Sequence, residues 1–253
     1  IKALSPGLTI VAGDLCADAE KGDLAHAKAQ LDIAARAMAG LPAPARVVPG
    51  NHDIRHLEGK VDRALWRQIF GPARQVFLLP GAAFILLDNT GLSQAIEGKP
   101  LECANLPDEA LVWLRRVLVF IPSSYRLYVV SHYPLLSPIT GSNPLFWRSL
   151  VRSQRDKGLA LADADQSFGK IAGILAARNL AAFIHGHEHA GNKTTVFARK
   201  PFQVIGLPAF CGGWWGGDRE WGAYKFPPAY GLLRLKSAPQ EPAFELEFIE
   251  VKY

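Results

Sequence analysis

Four short polar segments, each following an apolar run, hold residues that could do chemistry: Gly13-Asp14, Gly50-Asn51-His52-Asp53, Ser131-His132-Tyr133-Pro134 and Gly186-His187-Glu188-His189. Asp and Asn offer oxygen and His offers imidazole nitrogen, a mixture that suits Mn, Fe, Zn or Ni better than Mg or Ca. Taken singly the segments are ambiguous. A Gly-Asp pair after a strand is a common turn. His52 beside Asp53 is an acid/base candidate with a carboxylate able to orient it. In an extended segment His187 and His189 project to one face, suited to one metal or to two adjacent ones, and Glu188 points the other way, toward solvent. The competing reading of that run is a surface histidine tract.

Other residues could choose a substrate. His56 lies four positions after His52, flanked by Arg55 and Glu58, which suits either a pocket wall or the surface. Asn89 closes an apolar run, and His185 precedes Gly186 at the end of another. Trp214 and Trp215 sit in the Gly-rich stretch 210–217, where paired indoles could stack on a nucleobase or sugar, or pin a long loop onto a sheet. Arg55, Arg219 and Lys225 are cations available to an anionic substrate and equally suited to the surface.

The segments between these loops must position them. Residues 8–12 read as a short apolar strand, and Leu24, Ala27, Leu31, Ala34, Ala35 and Met38 then recur at helical spacing before Gly40 and Pro42. The unit repeats: a strand at 46–48, a helical pattern through Val61, Leu65 and Phe70, and a strand at 84–87. Pro107, Asp108 and Glu109 open a helix whose Leu111, Leu114 and Leu118 share a face. A strand at 126–131, a helix carrying Ile171, Ile174 and Leu175, and a strand at 181–184 follow. Strands at 194–198, 202–205, 230–236 and 244–251 close the chain, the last with a phase slip at Ile249 that signals a bulge or a strand end. Alternating βα units with a β-rich end predict an α/β layered fold of buried sheets flanked by helices. In such sheets ligands bind beyond the carboxyl ends of strands, so the four polar segments can meet in one site.

The 253 residues are 49% hydrophobic and 20% charged, which excludes a disordered chain and supplies a sizeable core. Without a repeat or linker, residues 1–253 read as a single domain. No apolar run is long enough to span a bilayer as a helix. The formal charge of +5 is spread without a basic stripe, so nucleic acid is not an expected partner. Cys16, Cys103 and Cys211 are far apart, which suggests neither a disulfide framework nor a cysteine zinc site and favours a reducing, cytoplasmic setting. The first residues carry no signal-peptide pattern and no initiator Met.

The order Gly-Asp, Gly-Asn-His-Asp, His-x-Pro, Gly-His-x-His resembles the calcineurin-like metallophosphoesterase superfamily along nearly the whole chain. Gly13-Asp14-Leu15, Trp113-Leu114 and Ser131-His132-Tyr133-Pro134 look most like its class III cyclic-nucleotide phosphodiesterase branch. The resemblance implies an α/β, layered α-β-β-α sandwich of two mixed β-sheets flanked by helices. It implies two divalent transition metal ions (Mn, Fe, Zn or Ni): Asp14 bridging them, Asn51, His132 and His187 on the second, His189 on the first. By the same resemblance, His52 is no ligand but stabilises the pentacoordinate phosphorus or protonates the leaving oxygen, with Asp53 fixing its tautomer. The implied reaction is in-line attack of a metal-bridging hydroxide on a small phosphoester such as a cyclic nucleotide, with no covalent intermediate.

Two departures bear on that pattern. The family's opening Asp-x-His motif, which would complete the first metal site, is absent from these 253 residues, so that site has only Asp14 and His189. The expectation is that a further N-terminal segment supplies it; the alternative is a single-metal or non-catalytic binding module. Position 17, where purple acid phosphatases carry a metal-bound tyrosine, is Ala17, which argues against a tyrosinate-bound ferric ion.

Overall fold

The computed structural model describes residues 4–41, 44–57, 60–92, 102–104, 106–134, 170–171, 173–197, 200–211, 227–236 and 242–251. In chain order the elements are β1 (Thr9–Val11), α1 (Leu24–Ala39), β2 (Ala45–Val47), β3 (Arg55–Leu57), β4 (Lys60–Asp62), α2 (Ala64–Phe70), β5 (Gln75–Leu79), β6 (Ala82–Leu86), β7 (Thr90–Leu92) and β8 (Glu102–Ala104). There follow α3 (Asp108–Phe120), β9 (Arg126–Ser131), β10 (Leu180–His185), β11 (Asn192–Val196), β12 (Phe202–Gly206), β13 (Ala229–Leu235) and β14 (Phe244–Glu250).

Side-chain alternation along the central strands builds the layers. Six strands form one sheet in the order β11-β12-β10-β9-β6-β5, with β12, β10, β9 and β6 mutually parallel and both edge strands antiparallel. One face presents Ala83, Ile85, Leu127, Val129, Phe183 and Val204 to Leu111, Leu114 and Leu118 of α3 and to Ile171 and Leu175. The other face presents Phe84, Leu86, Tyr128, Val130, Ala182 and Ile205 to Ile10 of β1, Leu233 of β13, and Phe244 and Leu246 of β14. Beyond β1 and β2, Val11 and Val47 pack on Ala27, Leu31 and Ala34 of α1 and on Leu65 and Trp66 of α2. The result is the expected α-β-β-α order. Among the described residues the second β layer is two separate ribbons, parallel β1-β2 and antiparallel β13-β14.

Polar ties hold the layers in place. Buried Arg126 donates to the carbonyls of Lys236 (3.0 Å) and Ala243 (3.2 Å), fastening the β13-β14 ribbon to the start of β9. Arg178 donates to the carbonyls of Leu118 and Ile121, capping the C-terminal end of α3. Asp23 caps α1 by accepting the His26 N–H at 2.8 Å.

One expectation needs correction. Val61 is not helical: β3 and β4 form an antiparallel hairpin, and the Asp62 carboxylate accepts the Ala64 N–H at 2.9 Å, so α2 starts after it. Of the two readings of the phase slip at Ile249, the strand end holds, because β13 and β14 pair one-to-one from Ala229↔Glu250 to Leu235↔Phe244 and β14 ends at Glu250. Strands β5, β7 and β8 were not legible beforehand.

Candidate metal centre

The ladders bring the strand ends into line. Ser131 and His185 are paired neighbours in the six-stranded sheet, and Val11 and Val47 are paired in the facing ribbon. Four loops therefore leave the same end of two packed layers. Where they meet, the backbone turns left-handed: Gly13 has φ +87°, Asp14 +54°, His187 +63° and His189 +56°. Only one other described non-glycine residue, Ser5, has a positive φ. Such a conformation costs about 1–3 kcal/mol per non-glycine residue and persists where the surroundings impose it.

Three glycines let the loops touch. A Cβ at Gly50 would lie 2.1 Å from Asp14 Oδ1, and one at Gly13 would lie 2.5 Å from His132 Nδ1. At Gly186 it would lie 2.6 Å from the Ala12 carbonyl oxygen. Each polar segment from β1, β2 and β10 thus opens with a residue that must lack a side chain, and the functional group follows directly.

His132 is the hub. It is almost wholly buried, and its Nδ1–H donates to the Ala12 carbonyl at 2.8 Å, which leaves Nε2 as the free nitrogen. Around Nε2 stand Asn51 Oδ1 at 2.9 Å, Asp14 Oδ2 at 3.3 Å and His187 Nδ1 at 3.3 Å. Asp14, His132 and His187 can offer ligand atoms that all lie within 4.8 Å of one another. Two oxygens and two imidazole nitrogens facing inward repel unless a proton or a cation lies among them. The donor set, with one imidazole already tethered to a backbone carbonyl, fits a divalent transition metal.

The electrostatics show the same pull. Burial works against charge on both Asp14 and His132, yet their hydrogen bond and mutual attraction leave the carboxyl lowered and the imidazole raised from their ordinary values. Burial and the neighbouring His132 push His187 down to about 3, so its ring is neutral and its lone pair available. The Tyr133 ring packs against that imidazole with centroids 4.3 Å apart. Burial also lowers His189, against the opposing pull of Asp14. His189 stands outside the tight cluster. Burial, then Asp53, push the Cys16 thiol up, so it remains protonated and is no nucleophile at neutral pH.

His52 and Asp53 do not pair. Asp53 is buried, and burial raises its carboxyl to about 6 although two backbone donors oppose the shift. Its Oδ1 accepts the Cys16 N–H at 2.9 Å and its Oδ2 accepts the Gly50 N–H at 2.8 Å, clamping the β1 and β2 loops together. The partner of His52 Nδ1 is Glu20 Oε1, at 2.9 Å. Sequence reasoning missed Glu20, which lies 32 positions away among several loop acids and carries no local signal.

The remaining candidates separate. Asn89 is fully buried: its Nδ2 donates to the Tyr133 carbonyl at 2.9 Å and its Oδ1 accepts the Tyr133 N–H at 3.1 Å. It holds the His132 loop and has no surface to offer a substrate. His185 is also buried, beside its own Gly186 carbonyl at 3.0 Å, and burial lowers it to about 4. His56 is half-buried on β3, opposite Val61. Trp214, Trp215, Arg219 and Lys225 lie outside the described residues. Strand alternation fails beyond His185, where β10 ends and φ turns positive at His187 and His189. Both carboxylate oxygens of Glu188 are accordingly buried rather than turned to solvent.

The family model for calcineurin-like phosphoesterases matches residues 1–191. Among solved structures, a dimetal phosphatase from Danio rerio is similar at 16% identity and a TM-score of 0.56, over 92% of this chain and 81% of that one. A phosphopantetheinyl hydrolase from Mycobacterium tuberculosis is also similar, at 17% identity and a TM-score of 0.45, over 79% of each chain. A search of curated proteins finds no match. With a family match over most of its length and with Asp14, His132 and His187 gathered as a group able to hold a metal ion, the chain belongs to the calcineurin-like phosphoesterases and is a metal-dependent phosphoester hydrolase.

Proposed function

We propose that the protein, acting as a single domain over residues 1–253, is a phosphodiesterase for a small substrate such as a cyclic nucleotide. In this reading Asn51, His132 and His187 with Asp14 would hold one transition metal ion, and His189 with Asp14 would contribute to a second. The observation that carries it is the convergence of Asn51 Oδ1, Asp14 Oδ2 and His187 Nδ1 on His132 Nε2. Bound divalent ions supply positive charge to the phosphoryl oxygens and lower the pKa of an attacking water.

The chain's own residues do the rest. The Ala12 carbonyl fixes the His132 tautomer, Asn89 fixes the Tyr133 backbone next to it, and Asp53 holds the Asp14 and His52 loops at a set distance. His52 is tied to the centre through its own N–H, which donates to Asp14 Oδ1 at 3.2 Å, and its side chain is about 35% exposed. An imidazole so held and so exposed supports the reading in which His52 meets the substrate and protonates the leaving oxygen.

Elemental analysis, with Mn-dependent hydrolysis of bis(p-nitrophenyl) phosphate compared with its monoester, tests the reading. About two metals per chain and a preference for the diester, lost in His187→Ala, are expected. A protein that binds no metal and turns over neither ester would sink it. A panel of cyclic nucleotides then tests the substrate class.

A further inference from the structure

We infer that Glu20 is the positioning residue for His52: its carboxylate accepts the Nδ1–H, fixes the imidazole plane and leaves Nε2 to meet the phosphoester. The inference rests on the reading of His52 as the group that protonates the leaving oxygen.

Three observations carry it. The Glu20 side chain is 4% exposed whereas that of His52 is 35% exposed, so the acid is the buried anchor and the imidazole the accessible end of the pair. Glu20 Oε1 lies 2.9 Å from His52 Nδ1, and Oε2 is buried with no hydrogen-bond partner among the described residues. The exposed Lys21 ammonium approaches the same Oε1 at 3.4 Å, so the His52 contact is the closer of the two. Asp53 in the same centre has each oxygen on a backbone N–H, as a purely structural acid should.

The loop that carries Glu20 is itself fixed. Asp18 Oδ1 accepts from His26 Nε2 at 3.1 Å and Gln30 Nε2 at 2.8 Å on α1, and the Asp18 carbonyl accepts the Lys21 N–H at 3.1 Å. His52 is thereby held at two points, by its N–H on Asp14 and by its ring on Glu20. A carboxylate on Nδ1–H selects the tautomer in which Nε2 exchanges protons with substrate.

The step balances. An oxygen–phosphorus bond forms from water and the ester P–O bond to the leaving group breaks. The proton on His52 Nε2 passes to the leaving oxygen, and a proton released from the attacking water restores Nε2. Glu20 keeps the Nδ1–H hydrogen bond throughout and exchanges nothing.

The test is a series of methyl aryl phosphates with leaving groups from p-nitrophenol to phenol, hydrolysed by the Mn-loaded protein and by E20Q, E20A, H52A and E20A/H52A. The expected result is that E20Q lowers kcat about 100-fold for phenol and far less for p-nitrophenol, the lower end of what proton transfer supplies. KM and metal content should stay near those of the parent, and E20A should add little to H52A, because groups that act as a unit are not additive. Equal loss across all leaving groups, or full additivity with H52A, would show that Glu20 only braces the loop and overturn the inference. Leaving-group dependence in H52A but not in E20Q defeats Glu20 and spares His52, and its absence in H52A defeats both. E20Q preserves volume, so a melting curve matching the parent separates these outcomes from misfolding.

Discussion

At the scale of single residues, the centre depends as much on missing side chains as on functional ones. A Cβ at Gly50 would stand 2.1 Å from Asp14 Oδ1 and 2.3 Å from Asp14 N, a backbone atom that cannot swing aside. Gly50→Ala should therefore displace Asp14 from His132, at about 1–3 kcal/mol of overpacking. Turnover should fall at least about 100-fold, since small misplacements near the reacting atoms are costly. Metal content should fall with it while circular dichroism stays that of a folded protein; full metal occupancy in Gly50→Ala would show that the close approach is dispensable. The sequence carried this information openly, because Gly13, Gly50 and Gly186 each precede a donor. It did not carry the pairing of His52 with Glu20. His52-Asp53 is adjacent on the chain, yet the turn Asn51–Asp53 swings Asp53 inward to two backbone donors and leaves the ring to an acid from another loop.

At the scale of elements, the central strands β6 and β9 were legible because they are buried on both faces and so read as plain apolar runs. The β3-β4 hairpin was not, because Val61, Leu65 and Phe70 fall at helical spacing by coincidence and only the Asp62 carboxylate on the Ala64 N–H marks where α2 begins. The loop after His187 was misjudged for a related reason: alternation belongs to extended backbone, and φ is positive at both histidines. Asn89 illustrates how an element's end can serve the site without touching substrate. It joins the end of β6 to the end of β9 by gripping the Tyr133 backbone, with Ser131 Oγ on the same carbonyl at 2.9 Å. Asn89→Ala should leave the Tyr133 N–H without that acceptor, at about 1–3 kcal/mol. Thermal melts should show the loss, and metal titration should show weaker binding. If KM rises with stability and metal affinity intact, Asn89 is a substrate contact after all.

At the scale of the whole molecule, the donors come from opposite layers. Asp14 and Asn51 follow β1 and β2 of the ribbon, and His132 and His187 follow β9 and β10 of the six-stranded sheet. A cation held by all four joins two layers that also meet through the His132–Ala12 hydrogen bond and apolar packing of the Ile10 and Phe84 kind. It also satisfies the left-handed strain at Asp14 and His187 with a bond that the unfolded chain cannot make. Metal binding should therefore appear as stability, apart from any turnover. At a free Mn concentration about 100 times Kd the native state gains about 2.7 kcal/mol. For a chain of this size that is about 5–11 °C in Tm, at about 2–4 °C per kcal/mol. Differential scanning calorimetry across a Mn titration should show the rise, chelator should reverse it, and His132→Ala should abolish it because both layers then lose the hub. A melting temperature indifferent to Mn in the parent protein would mean that the gathered donors are held by protons and hydrogen bonds alone, and the dinuclear reading of the centre would fall with it.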